Sequence, residues 1–485
     1  MYGFFRNFAN LIWTKKSIST DGSAADEKWR ITFYQIFISL GPLTFCMGVG
    51  GMMGFSGIFL PQLKEENKET NEPESDIPSW IASSAVLSMT IASVFGGFFM
   101  EKYGRKRAHV IPAIPGILGW LTIAFSNSIA TILVGRVLTG ISCGLFAPIT
   151  SSYIGEITAP SIRPFVLGCI TLALTIGTLL CHLVGTFYSW KMAALLCLLF
   201  PTIGGLLTLF SEETPNWLFR KNRADEACAA FERIRGKSDE AKRELEIILE
   251  RHKNGVANPG KSLKDTARDV MSKPEIYKPL LVVVLYFMSA QFAGINVVTF
   301  YAIDVVKLSL GPNFQNSHLI MLAMDSVRAV TSIIACILLK NLKRRHLVIG
   351  GGLGCLICLL TLSASNFLSG TIKNPTISVY IPLISLLGYV FFISISLVPL
   401  PWCLAGELLP LEVKGLASSI LCFTSFSAFF IAIKFSPFLF SFLGSGSTYL
   451  IFSVFTLFGT VLCMILLPET KNKTLNEIAD TYRNK

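Results

Sequence analysis

The chain has 485 residues, 52% of them hydrophobic and only 15% charged, with a formal net charge of +11 and a mean hydropathy of +0.57. Soluble domains carry roughly 25% charged residues, so this composition excludes a string of soluble domains and makes lipid the natural solvent for most of the chain. The basic residues stand in short islands between apolar runs, which argues for membrane orientation and against a nucleic-acid partner.

Residues 1–31 read as a cytoplasmic N-terminal tail. Phe4, Phe5, Leu11, Ile12 and Trp13 suit a short interfacial helix there, without the cleavage pattern of a signal peptide. Twelve apolar segments follow, near 32–61, 80–100, 108–126, 129–154, 164–188, 190–211, 279–307, 318–339, 347–368, 377–404, 415–440 and 447–467. Each is long enough to cross a bilayer core as a helix, and none shows the period-two alternation of a barrel strand. The longest polar segment, 212–278, divides the chain into a six-helix bundle at 32–211 and another at 279–467, with a cytoplasmic tail at 468–485. Within it Ala227, Phe231 and Ile234, then Leu245, Ile248 and Leu249, recur at helical spacing, so short amphipathic helices on the membrane surface are expected. Of 12 Cys, all but Cys228 lie in apolar segments and read as small buried hydrophobes, and the lone Cys355/Cys358 pair has no second pair for a metal. The expected fold is an all-α polytopic membrane protein of twelve transmembrane helices in two bundles with a small intracellular helical segment.

Charge sets the orientation. Counted on alternate sides, 33 of the 42 Lys and Arg fall in the two tails and the loops on the same side, so both termini are expected in the cytoplasm. The same side shows an internal repeat. Gly97 to Arg107, with Glu101, Gly104 and Arg105, follows the second span, and Lys340 to Arg345 follows the eighth. Glu156 with Arg163 follows the fourth, and Glu407 with Lys414 the tenth. Glu213-Thr-Pro follows the sixth, and Glu469-Thr-Lys the twelfth. A parallel repeat of two halves is a transporter arrangement in which substrate binds at the midplane between halves that rock. Gly97 and Gly104 allow close approach and a tight turn. Glu101, Arg105, Glu156, Arg163, Glu213, Arg344, Arg345, Glu407, Lys414 and Glu469 are expected to pair between the halves and latch the cytoplasmic end.

From Thr32 to Ile478 the chain resembles the sugar porter family of the major facilitator superfamily. The resemblance rests on Gly97 to Arg107, Arg136-Val-Leu-Thr-Gly140, Tyr153-Ile-Gly-Glu156, Glu213-Thr-Pro-Asn-Trp-Leu218, Gln291-Phe-Ala-Gly-Ile-Asn296, Pro399-Leu-Pro-Trp402 with Glu407, and Pro468-Glu-Thr-Lys471. It implies the major facilitator fold and a sugar site between the halves on spans five, seven, eight, ten and eleven. The amides of Gln291 and Asn296 suit sugar hydroxyls, Tyr301 a gate above them, and Trp402 the family's aromatic platform. Thr171, Ser394 and Ser425 stand at aligned contact positions. Thr171, Ser394 and Lys434 look like the facilitated trehalose transporter branch, although that branch's Asn-Trp aligns with Ser425-Phe426.

Two departures bear on function. Proton-coupled members have an Asp on the first span where this chain has Gly54-Phe55-Ser56, so uniport independent of the proton gradient is expected. Arg328 aligns with a sugar-contacting Asn deep in the membrane, where an ionisable residue is a functional candidate by default. Three readings stand: a structural pair with Asp325 three residues earlier, contact with a polyhydroxyl ligand, or recognition of an anionic substrate. The second-half motif has Lys340 and Lys343 where the family has Asp and Gly, and Lys414 keeps charge without the guanidinium fork.

The expected function is a facilitative sugar carrier for trehalose or a hexose, in the plasma membrane, monomeric, with a small-molecule sugar and membrane lipids as partners and no cofactor, metal or enzymatic activity. The alternatives are a non-transporting sugar sensor on the same scaffold and a proton-coupled symporter. His182, inside a span, is expected to pack or hydrogen-bond.

Overall fold

The computed structural model describes residues 22–67, 77–159, 162–253, 272–311, 316–368, 374–408 and 414–467. The first 21 residues, Pro160 and the C-terminal tail with Glu469 lie outside them. Among the described residues every regular element is a helix, as lipid demands of a chain whose backbone groups must find partners within each segment.

The first six spans are Gly22–Asn67, Ile77–Tyr103, Arg105–Ala124, Ile129–Ile157, Arg163–Phe187 and Trp190–Leu209. Short, specific breaks separate them. Gly104 takes φ +90° between spans two and three, and the Ser128 hydroxyl accepts from the Thr131 N–H to open span four in a capping box. In the second half, spans eight and nine are Ser317–Asn341 and Arg344–Phe367. The stretch expected as one seventh span is broken into Pro274–Phe292, Ile295–Phe300 and Ala302–Leu310, and the tenth into Pro375–Ile395 and Pro399–Leu408. The last two spans run together as Lys414–Leu466, parted by Gly444 at φ +79°. Twelve crossings result, in two halves of six.

Span one packs on five and six, two on four, and three on six, which closes the first bundle; the Lys414–Leu466 helix, with seven, eight, nine and ten, builds the second. The halves meet along two seams, span two against the Lys414–Leu466 helix and span five against span eight, and where span one crosses Ile295–Phe300. Aromatic and aliphatic side chains such as Phe435, Phe438, Val454 and Ile465 are exposed on the outside of the bundle, as expected of a lipid-facing surface.

Between the halves the chain forms Pro215–Arg220, Ala224–Arg235 and Asp239–Lys253. Ala227, Phe231 and Ile234 are buried, and Leu245, Ile248 and Leu249 pack on Trp217, Leu218 and Phe219. Gln35 of span one donates to the Ile234 carbonyl at 2.8 Å, which ties this segment to the first bundle.

Candidate functional site

The break in the seventh span builds the centre of the site. Gly294 takes φ +95°, and a Cβ there would stand 2.4 Å from the Phe452 ring, so only glycine fits both the conformation and the space. The turn frees the Ala293 carbonyl, which accepts from the Tyr389 hydroxyl of span ten at 2.8 Å. It also turns Gln291 and Asn296 toward each other. Asn296 Nδ2 donates to Gln291 Oε1 at 2.5 Å, and Gln291 Nε2 donates to Ser425 Oγ of span eleven at 3.0 Å. Three expected contacts are thus one polar cluster. Tyr301, at the next break, donates to the Ile433 carbonyl at 3.2 Å and fastens span seven to span eleven.

The other expected contacts are dispersed around it. The half-buried Trp402 stands edge-on to Phe287, 4.9 Å between ring centroids, just after the break in span ten. Ser394, before that break, is buried, and its hydroxyl meets no hydrogen-bond partner among the described residues. Thr171 donates to the Gly168 carbonyl of its own helix. One turn on, Thr175 Oγ1 and Ser332 Oγ meet across the halves at 3.4 Å.

The expected Arg328–Asp325 pair is not what the structure shows. Asp325 Oδ2 lies 2.5 Å from Nδ1 of His182, on span five of the other half, and His182 Nε2 donates to the Gly54 carbonyl at 2.9 Å. Arg328 Nη1 donates to Thr299 Oγ1 at 2.9 Å. The i,i+3 spacing put the two charges on one helix face, but a buried imidazole across the seam competes for the carboxylate and takes it. The signal was present in the sequence as two ionisable residues inside spans, each needing a partner.

Arg136, a motif residue, is fully buried. Its guanidinium donates to the carbonyls of Ile81, Met52 and Ala82, and Nη2 donates to Ser56 Oγ at 2.8 Å. Ser56 of span one is thus the side chain that meets this arginine, and no carboxylate pairs with it among the described residues.

At the end of the bundle that carries the basic loops, Arg105 pairs with Glu156 at 3.1 Å and with Glu101 at 3.6 Å, and Arg220 with Glu101 at 3.0 Å. Glu213 accepts from the N–H groups of Arg105, Lys106 and Thr214. Burial raises its carboxyl above the usual glutamate range, against the pull of those donors. Arg163 donates to the Thr158 carbonyl. Arg344 donates to the Leu339 and Leu342 carbonyls, and Arg345 to that of Met464.

Among the described residues these ion pairs stay within the first half and its attached helices; the side chains of Glu407 and Lys414, like Glu469, lie outside what the structure describes. What crosses the seam is backbone. Gly97 N–H donates to Ser419 Oγ at 3.2 Å, and a Cβ on Gly97 would lie 2.9 Å from the Gly415 carbonyl. The Glu101 side chain also lies against this seam, its Oε1 3.2 Å from where a Cβ on Gly415 would stand. At the opposite end Lys64 meets Asp304 at 3.4 Å, and His182 meets Asp325 deeper in. Contacts between the halves thus stand at both ends of the bundle.

Residues 28–482 match the family model described as "Sugar (and other) transporter". This chain belongs to the sugar transporter family. The facilitated trehalose transporter Tret1 of Culex quinquefasciatus is 28% identical over 450 residues, covering 93% of this transporter and 86% of that protein. The facilitated trehalose transporter Tret1 of Aedes aegypti is 29% identical over 470 residues, but this transporter spans only 57% of its length. The facilitated glucose transporter member 8 of solute carrier family 2 from Bos taurus is 26% identical over 495 residues, covering 97% and 98%. Among solved structures, the proton:xylose symporter XylE bound to 6-bromo-6-deoxy-D-glucose superposes with a TM-score of 0.78 at 21% identity, covering 93% of this transporter and 99% of XylE. That likeness establishes the fold, the major facilitator arrangement of the XylE structures.

Proposed function

We propose that this transporter is a facilitative uniporter that moves trehalose or a hexose down its gradient by alternating access. The observation that carries the reading is Ser56 beside Arg136. A hydroxyl cannot bind and release a proton in the ordinary pH range, so the position that would couple sugar to protons has nothing to titrate. The relatives named as facilitated trehalose and glucose transporters support the same class.

The amide cluster is the sugar site. Gln291, Asn296 and Ser425 satisfy one another when the site is closed, so a sugar that replaces those bonds with its own hydroxyls leaves no buried polar group unpaired. Opening one end breaks His182–Asp325 and Lys64–Asp304; opening the other parts Gly97 from Ser419. Two sets of contacts between the halves, one at each end, that can part in turn are what a rocking mechanism requires. The protein works as a monomer in the plasma membrane with both termini cytoplasmic, a placement supported by the basic loops. Its partners are the sugar and the surrounding lipids, and it takes no cofactor.

Counterflow of labelled trehalose and glucose in proteoliposomes of the purified protein tests this. Saturable exchange of at least one sugar is expected. Binding without exchange would replace the carrier by a sensor.

A further inference from the structure

Two guanidinium groups, those of Arg136 and Arg328, lie within spans away from their ends, and the structure completes only one of them. Arg136 sends Nε, Nη1 and Nη2 to three carbonyls and the Ser56 hydroxyl, all fixed parts of the first half. Arg328 is equally buried but has a single acceptor, Thr299 Oγ1, while its Nε meets no partner. Among the described residues no carboxylate oxygen comes within the 4.0 Å of an ion pair, because Asp325 is held by His182.

The protons of that neighbouring pair fix the local charge. Both ring nitrogens of His182 face acceptors, the Gly54 carbonyl at 2.9 Å and Asp325 Oδ2 at 2.5 Å. Nε2 must carry a hydrogen, and the short contact at Nδ1 needs a second, on either the ring or the carboxyl. With two protons His182 and Asp325 together are neutral, whichever holds the shared one. Arg328 then leaves the cluster at a net charge of about +1 in a low-dielectric surrounding.

That charge stands beside the amides. Thr299, which receives the Arg328 donor, lies one helical turn after Asn296 on the same broken span. Hydroxyl-binding amides and an incomplete guanidinium thus converge between the halves.

We propose that this site takes a monoanionic sugar acid, a uronate, as a further substrate alongside neutral sugars. Its hydroxyls meet Gln291 and Asn296, and its carboxylate meets the open edge of Arg328, the fork geometry a guanidinium offers. One negative charge matches the one charge left unpaired at Arg328. The proposal rests on the carrier reading, so its test includes a measurement that does not depend on transport.

Labelled glucuronate and glucose are compared in proteoliposomes of the full chain, and thermal shifts with each are read on the purified protein. Wild type is expected to exchange glucuronate. The ratio of glucuronate to glucose rate should fall by about tenfold in Arg328→Gln and by about threefold in Arg328→Lys, which keeps the charge but loses the fork. Glucose exchange with no glucuronate exchange or competition overturns the proposal, as does an unchanged ratio in Arg328→Gln. If neither sugar is exchanged, the carrier reading fails and the thermal shift decides. Stabilisation by glucuronate that Arg328→Lys retains upholds the anion site; none rejects it. Should Arg328→Gln fail to fold, the wild-type comparison with Arg328→Lys still decides.

Discussion

Ser56 receives Nη2 of Arg136 at 2.8 Å, and the other Arg136 donors end on carbonyls, so the charge of this arginine is constant through the working pH range. Putting a carboxylate there changes that. In Ser56→Asp, sugar uptake should acquire a dependence on external pH between about 5.5 and 7.5 where wild type is flat, because an aspartate at an arginine gains a proton only as that contact opens. A flat profile in the variant would show that the position does not sense the transport cycle. At this scale the sequence was legible where a motif names a residue and misleading where a partner is remote. Gln291, Asn296 and Ser425 meet as a cluster, although the third lies on a span far along the chain. A pair with Arg328 on its own helix is one of the readings the spacing of Asp325 allows, whereas the imidazole that holds it lies 143 residues away. Helical spacing reports neighbours within one element and is silent about what faces it across a seam.

The seventh span illustrates the same limit for elements. Hydropathy runs unbroken through 279–307, since residues on both sides of each break are apolar, yet Gly294 and Tyr301 divide it into three helices. Only the glycine within Gln291 to Asn296 hinted at the turn. The seams depend on small residues too. Gly97 packs against Ser419 and Gly415, whereas a Cβ added to Gly350 on span nine would meet nothing within 4 Å. Gly97→Leu should therefore slow sugar counterflow by about tenfold by propping one end apart, while Gly350→Leu, facing lipid, stays within about twofold. Equal effects of the two would mean that the Gly97 contact is not part of the gate. The charged corner, by contrast, was read from repeat positions alone. Among the described residues its pairs join Arg105 to Glu101 and Glu156, and Glu101 to Arg220, while Glu101 also lies against Gly415 of the other bundle.

For the whole molecule, composition and charge already implied twelve helices in two halves, since lipid forbids nearly everything else. They could not give the state of the gates, which depends on contacts between halves. The halves touch at both ends, through Lys64–Asp304 and His182–Asp325 on one side and Gly97–Ser419 on the other. On the uniport reading, a carrier with no carboxylate paired to Arg136 among the described residues equilibrates its sugar and does not concentrate it. The direct test is the steady-state distribution of labelled trehalose and glucose across proteoliposomes with and without an imposed pH gradient. The transported sugar should reach an internal concentration about equal to the external one in both conditions. Accumulation of about tenfold or more driven by an inwardly directed proton gradient would contradict uniport.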